Sequence, residues 1–127
     1  MTFQKPGIIL AEGHPVTLKG LQQLIIEESP FQILATCADA NTTLQALSKH
    51  QPDILLLDLD LPGKCALKLL AELIQAGHII KVVVIAIHID EHRLREAIRL
   101  GVRGMLLKSM PTCLLLQCLL KVLEGGE

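Results

Sequence analysis

Pro52-Asp53-Ile54-Leu55-Leu56-Leu57-Asp58-Leu59-Asp60-Leu61-Pro62-Gly63 is the stretch whose reading decides the architecture. Ile54 to Leu57 is a run of strand length with no polar alternation. A strand with one wet face alternates apolar and polar residues, so this one is buried on both faces, as in a parallel sheet covered by helices. Asp58 closes the run, and Leu61-Pro62-Gly63 is a turn. A carboxylate that ends such a strand is costly to bury, so it must lie open at the sheet edge or be paired.

The pattern continues in both directions. Upstream, Gly7 to Ala11 reads as a buried strand and Pro15 to Glu28 as a helix with Leu18, Leu21, Leu24 and Ile25 at helical spacing. Phe31 to Cys37 reads as a strand, and Thr43 to His50 as a helix with Asn41 or Thr42 at its N-cap. Downstream, a helix is expected over Cys65 to Gln75, capped by Gly77, then a strand over Val82 to Ala86. Asp90 to Leu100 is a helix, Gly104 to Leu107 a short strand, and Pro111 to Leu123 the last helix. Five strands alternating with five helices imply right-handed crossovers, and so an α/β fold with a doubly wound (βα)5 parallel sheet and helices on both faces. The whole chain, residues 1–127, reads as one domain, with a folded core over 5–124 and a polar stretch over 124–127 as the start of a linker or tail.

Composition narrows the function. Half of the 127 residues are hydrophobic and only two are aromatic, so one aliphatic core is expected. The formal net charge of −1 provides no basic excess for a phosphate backbone, so direct nucleic-acid binding is not expected. No apolar run reaches membrane-spanning length, and Met1 to Pro6 lacks a signal-peptide core, which reads as a cytoplasmic protein without a membrane partner. The four cysteines form no C-x-x-C pair and sit in apolar patterns, as reduced small hydrophobes do. His88 and His92 are four residues apart, but a helix start at Asp90-Glu91 separates them, so no metal site is expected there.

Three ionisable residues stand at carboxyl ends of strands: Glu12 after the first, Asp58 at the third and Lys108 after the fifth. Singly, each reads as a solvated loop residue. Together they form a constellation, because chemistry in open α/β sheets gathers at those ends.

Ile9-Leu10-Ala11-Glu12-Gly13-His14-Pro15, the stretch from Pro52 to Gly63, and Gly104-Met105-Leu106-Leu107-Lys108 resemble the receiver domains of bacterial two-component response regulators. The branch most similar precedes a LuxR-type helix-turn-helix output domain. The resemblance runs from the first strand to the last helix. It implies a flavodoxin-like, CheY-like fold in a signalling domain that is not an enzyme. It also implies that Asp58 accepts a phosphoryl group from a sensor histidine kinase and that Lys108 neutralises phosphoryl charge. Mg²⁺ would be held by Glu12, Asp58, the backbone carbonyl of Asp60 and water. DNA would be reached only through an output domain absent from this chain.

This sequence departs from the family at three positions. Gly13 stands where a second acid and direct metal ligand is usual. Ala86 replaces the switch hydroxyl and Met105 the switch aromatic. Weak Mg²⁺ binding, strengthened by Gly13→Asp, is therefore expected, together with impaired or phosphorylation-independent switching. The other reading is a pseudo-receiver that serves as a dimerisation or interaction scaffold. A flavodoxin-like cofactor binder fits less well, since Glu12-Gly13-His14-Pro15 would repel a phosphate.

The last helix is apolar around most of its circumference. Leu115, Leu119, Val122 and Leu123 share one face and are expected in the core. Leu116 and Leu120 then lie on one flank and Leu114 on the other, which predicts a homodimer through this helix, without need of phosphate.

Overall fold

The computed structural model describes residues 5–125. Its elements are β1 (Gly7–Ala11), α1 (Pro15–Glu28), β2 (Gln32–Cys37), α2 (Ala40–Lys49), β3 (Ile54–Asp58), α3 (Ala66–Gln75), β4 (Lys81–Ala86), α4 (Glu91–Arg99), β5 (Gly104–Leu107) and α5 (Thr112–Leu123). The strands form one parallel sheet in the order β2-β1-β3-β4-β5, the expected doubly wound (βα)5 fold. The chain leaves β1 for β2 on one side and runs through β3, β4 and β5 on the other. The topological switch point, where such sheets open a crevice, therefore lies between β1 and β3.

Every residue of β1 and β3 is buried, as their unbroken apolar runs require. Side chains alternate between faces. Ile8, Leu10, Ile54, Leu56, Val83 and Ile85 pack under α1 and α5, against Leu21, Ile25, Leu115, Leu119 and Val122. Ile9, Leu55, Leu57, Val84 and Ala86 face the other layer, against Leu47 of α2, Leu69 and Leu73 of α3, and Ala97 of α4.

Three local expectations change. Phe31 precedes β2 and is buried under α1 and α5 instead of pairing in the sheet. The N-cap of α2 is Asp39, not Asn41 or Thr42: its carboxylate accepts the Thr42 N–H at 2.8 Å, and the Thr42 hydroxyl accepts the Asp39 N–H, closing a capping box. Of the cysteines, Cys37 is buried, but Cys65 and Cys113 are exposed, because they sit at the first turns of α3 and α5, where helix ends meet water. Gly77 ends α3 in the left-handed region at φ 82°, as its capping role requires. Among the described residues no helix is long and apolar enough to cross a membrane. The tail expected over 124–127 falls partly outside the described residues, at 126 and 127.

Candidate functional site

Strand alternation aims all three ionisable side chains the same way. Glu12 continues the row of Ile8 and Leu10, Asp58 that of Ile54 and Leu56, and Lys108 follows Leu106; all of these face α1 and α5. Leu10 pairs with Leu56 across β1 and β3, so Glu12 and Asp58 emerge side by side at the switch point. Lys108 starts two strands away, roughly 10 Å at ordinary strand spacing. Its N–H donates to the Ala86 carbonyl at 2.8 Å, extending the β4–β5 ladder past Leu107.

The lysine stem then reaches over the end of β4. Lys108 Nζ lies 2.9 Å from Glu12 Oε1 and 3.3 Å from Asp58 Oδ2, with side-chain exposures of 15% for the lysine, 2% for Glu12 and 4% for Asp58. One ammonium thus serves two buried carboxyl groups. Glu12 Oε1 also accepts the His14 N–H at 3.1 Å. Burial pushes the Glu12 carboxyl above its usual range; the Lys108 hydrogen bond opposes this and the neighbouring Asp58 charge adds to it. Glu12 Oε2 is buried and has no hydrogen-bond partner among the described residues.

The second oxygen of Asp58, Oδ1, accepts the Asp60 N–H at 3.0 Å, an Asx turn. Leu59 and Leu61 are buried on either side of Asp60 and pin this loop, and the Leu59 N–H donates to the Ile85 carbonyl at 3.0 Å. Gly63, at φ 100°, lets the chain turn while the Pro62 carbonyl accepts the Ala40 N–H at 3.0 Å.

The profile of the response regulator receiver domain family matches residues 8–119. The chain is a response regulator receiver domain. Among curated relatives, the transcriptional regulatory protein DegU of Brevibacillus brevis is 28% identical over 122 residues, covering 96% of this receiver and 52% of DegU. The receiver therefore spans about half the length of that relative. The signal receiver domain of the response regulator NarL from Mycobacterium tuberculosis superimposes with a TM-score of 0.89 at 21% identity, over 96% of this chain and 98% of that one. A LuxR-family DNA-binding response regulator from Staphylococcus aureus gives 0.87 at 24% identity, over 93% and 98%.

Receiver domains typically bind Mg²⁺ at the phosphorylation site. Mg²⁺ takes one or two protein carboxylates and keeps its remaining waters. Glu12 and Asp58 supply two, and Glu12 Oε2 is a buried oxygen still in want of a positive partner. The residues fit a minimal Mg²⁺ site. Nothing richer is available, since no group of three or more His, Cys, Asp or Glu forms among the described residues. The Asp60 carboxylate is turned away to Arg93, with Nη1 at 3.1 Å, which leaves only its backbone carbonyl for the part expected of it.

Gly13 brings no carboxylate to this site, and its backbone is closely packed. A Cβ there would stand 2.5 Å from Pro62 Cδ, 2.9 Å from Pro62 Cγ and 3.1 Å from the Ala38 carbonyl oxygen. A proline ring cannot swing aside as a flexible side chain would. Gly13→Asp alone is therefore not the clean restoration that the sequence suggested. We expect it to destabilise the domain by about 1–3 kcal/mol through overpacking. Combining it with Pro62→Ala should recover most of that loss and tighten Mg²⁺ binding beyond that of the unaltered receiver. Denaturant unfolding followed by circular dichroism, together with titration calorimetry, reads both effects; full stability in the single variant would contradict the contact.

Ala86 and Met105 both face the α4 layer. Ala86 is fully buried, Met105 is half-buried against the same core, and Met105 pairs with Val84. Neither position carries a hydroxyl or a ring.

Arg93 is the residue that sequence reasoning missed. It lies in the first turn of α4, where the helix dipole disfavours a cation. Its guanidinium is held there by Asp60, by the His88 carbonyl at 2.5 Å and by the N-cap Asp90 at 3.6 Å. A basic residue in an N-terminal turn was the available signal. His88 lies in the loop before α4 and His92 on the helix, separated as expected.

Proposed function

We propose that Asp58 accepts a phosphoryl group from the phosphohistidine of a sensor histidine kinase, and that this receiver belongs to a LuxR-type transcriptional regulator acting in the cytoplasm. The observation that carries the reading is Lys108 spanning two buried carboxylates at the β1/β3 switch point. The DegU match and the LuxR-family neighbour support the branch. In such a regulator DNA is reached through the output domain, not through this one. Receiver domains are generally signalling modules and not enzymes.

An Asp58 oxygen forms the new bond to phosphorus, the bond from phosphorus to the histidine nitrogen breaks, and its electron pair stays on the imidazole. Lys108 stands ready to offset charge on the transferred oxygens, as a compact ammonium suits. The Asp60 N–H orients the carboxylate by holding Oδ1. Mg²⁺, held by Glu12, Asp58 and the Asp60 carbonyl, would supply further neutralisation of phosphoryl charge. With Ala86 and Met105 in the switch positions, the usual hydroxyl-to-aromatic relay has no parts to run on, so switching is weakened or independent of phosphate. Incubation with phosphoramidate and Mg²⁺, followed by intact mass, tests the reading; no incorporation under any condition favours the scaffold alternative.

That alternative draws on α5. Leu114 and Leu120 are 43% and 38% exposed, while Leu115, Leu119 and Val122 fill the core. Leu114 also borders a shallow apolar groove with Leu106, Met110 and Val122. We expect a homodimer of modest affinity through this helix, because the several kcal/mol lost on association, about 4–15, cancel most of what burying two leucines per chain gains, at about 1.5–3 kcal/mol each. Sedimentation should show dimer in the unaltered domain and monomer in Leu114→Glu and Leu120→Glu. Leu116 is half-buried, so its variant would perturb the fold as well as the contact. A monomer at every concentration would leave the scaffold reading without support.

A further inference from the structure

Asp60 touches two things at once. Its N–H holds Asp58 Oδ1 at 3.0 Å, and its carboxylate holds Arg93 Nη1 at 3.1 Å. Arg93 in turn donates to the His88 carbonyl at 2.5 Å, in the loop between β4 and α4, and its own N–H is capped by Asp90 at 2.8 Å. A continuous polar path therefore leads from the acceptor carboxylate through the β3–α3 loop into the first turn of α4. It passes neither Ala86 nor Met105.

The path is built, not incidental. Arg93 sits at a helix position where its charge is disfavoured, and its side chain is only 23% exposed despite three separate anionic or carbonyl partners. Leu59 and Leu61, buried on either side of Asp60, leave that residue little freedom to adjust by itself. A change of charge at Asp58 bears on the Asp60 backbone, and Asp60 is tied to α4.

We propose that Arg93 is a positioning residue for the acceptor site, and that the Asp60–Arg93 link carries the state of Asp58 to α4 in place of a hydroxyl at position 86. This rests on the reading of Asp58 as phosphoryl acceptor, but its test does not need phosphorylation. The guanidinium matters through its fork, which reaches Asp60 and the His88 carbonyl together; a lysine would keep the charge and lose one of these contacts.

The experiment uses amide chemical shifts of the full chain. Asp58→Asn removes one charge at the acceptor with little change of shape. In the unaltered background it should shift amides across Glu91–Arg99 as well as those of β1 and β3. In an Arg93→Gln background the α4 response should be lost while the β1 and β3 responses persist. Arg93→Lys should restore it in part. Asp60→Asn keeps the amide donor and removes the ion pair, so it should reproduce Arg93→Gln; it also serves should the arginine variant fold poorly. An α4 response that survives both Arg93→Gln and Asp60→Asn overturns the proposal, even if both variants are less stable. Phosphoramidate labelling in parallel separates the two ideas. Phosphoryl uptake with a link-independent α4 response sinks the link and leaves the acceptor. A link-dependent response without uptake does the reverse.

Discussion

Asp58→Asn is expected to abolish phosphoryl incorporation completely. The amide matches the carboxylate in shape, and its carbonyl oxygen can still accept the Asp60 N–H that now holds Oδ1. What disappears is the nucleophile, because an amide oxygen gives no stable ester with phosphorus at neutral pH. Neither of the two carboxylates beside it is equipped to substitute. Glu12 is buried with Oε1 committed to Lys108 and His14, and the Asp60 carboxylate is turned out to Arg93. Intact mass after phosphoramidate and Mg²⁺ treatment should show one added phosphoryl group on the unaltered domain and none on the variant. Incorporation at an undiminished level in Asp58→Asn would remove Asp58 from the role.

The second large effect concerns stability. Lys108→Met keeps the length and volume of the side chain and removes its charge. Glu12 and Asp58, with side chains 2% and 4% exposed, would then face each other without a cation. Breaking a buried ion pair from one side costs about 3–5 kcal/mol, because a desolvated charge is left behind. Lys108 is itself 15% exposed and water can enter where it was, which places the expected loss near the lower bound, at about 3 kcal/mol. Urea unfolding should show this as a lower midpoint at unchanged slope. Glu12→Gln in the same background should return most of the loss, since one charge of the uncompensated pair is gone. Were Lys108→Met as stable as the unaltered domain, the bridge would be a contact without energetic weight.

The reach of the sequence can be judged residue by residue. The strands were legible because a run such as Ile54 to Leu57 is too short for a helix, is bounded by Pro52 and Asp58, and has no polar face. Glu12, Asp58 and Lys108 were legible as a group because each stands at the carboxyl end of a strand, and a parallel sheet brings those ends together. The core of α5 was legible at Leu115, Leu119 and Val122, where a helical period sorts residues by angle alone, while Leu123, expected with them, is only half-buried near the helix end. Each of these depends on the regularity of secondary structure. The tertiary structure alone decided the rest: that a Cβ at Gly13 would strike Pro62, that Arg93 holds Asp60 from 33 residues away, and that Asp39 caps α2. The Gly13 and Arg93 contacts depend on how closely loops from separate crossovers approach, and the Asp39 cap on backbone geometry at a helix end. Packing density and local hydrogen bonding set those fine distances, to which no pattern of hydrophobic residues along the chain is sensitive.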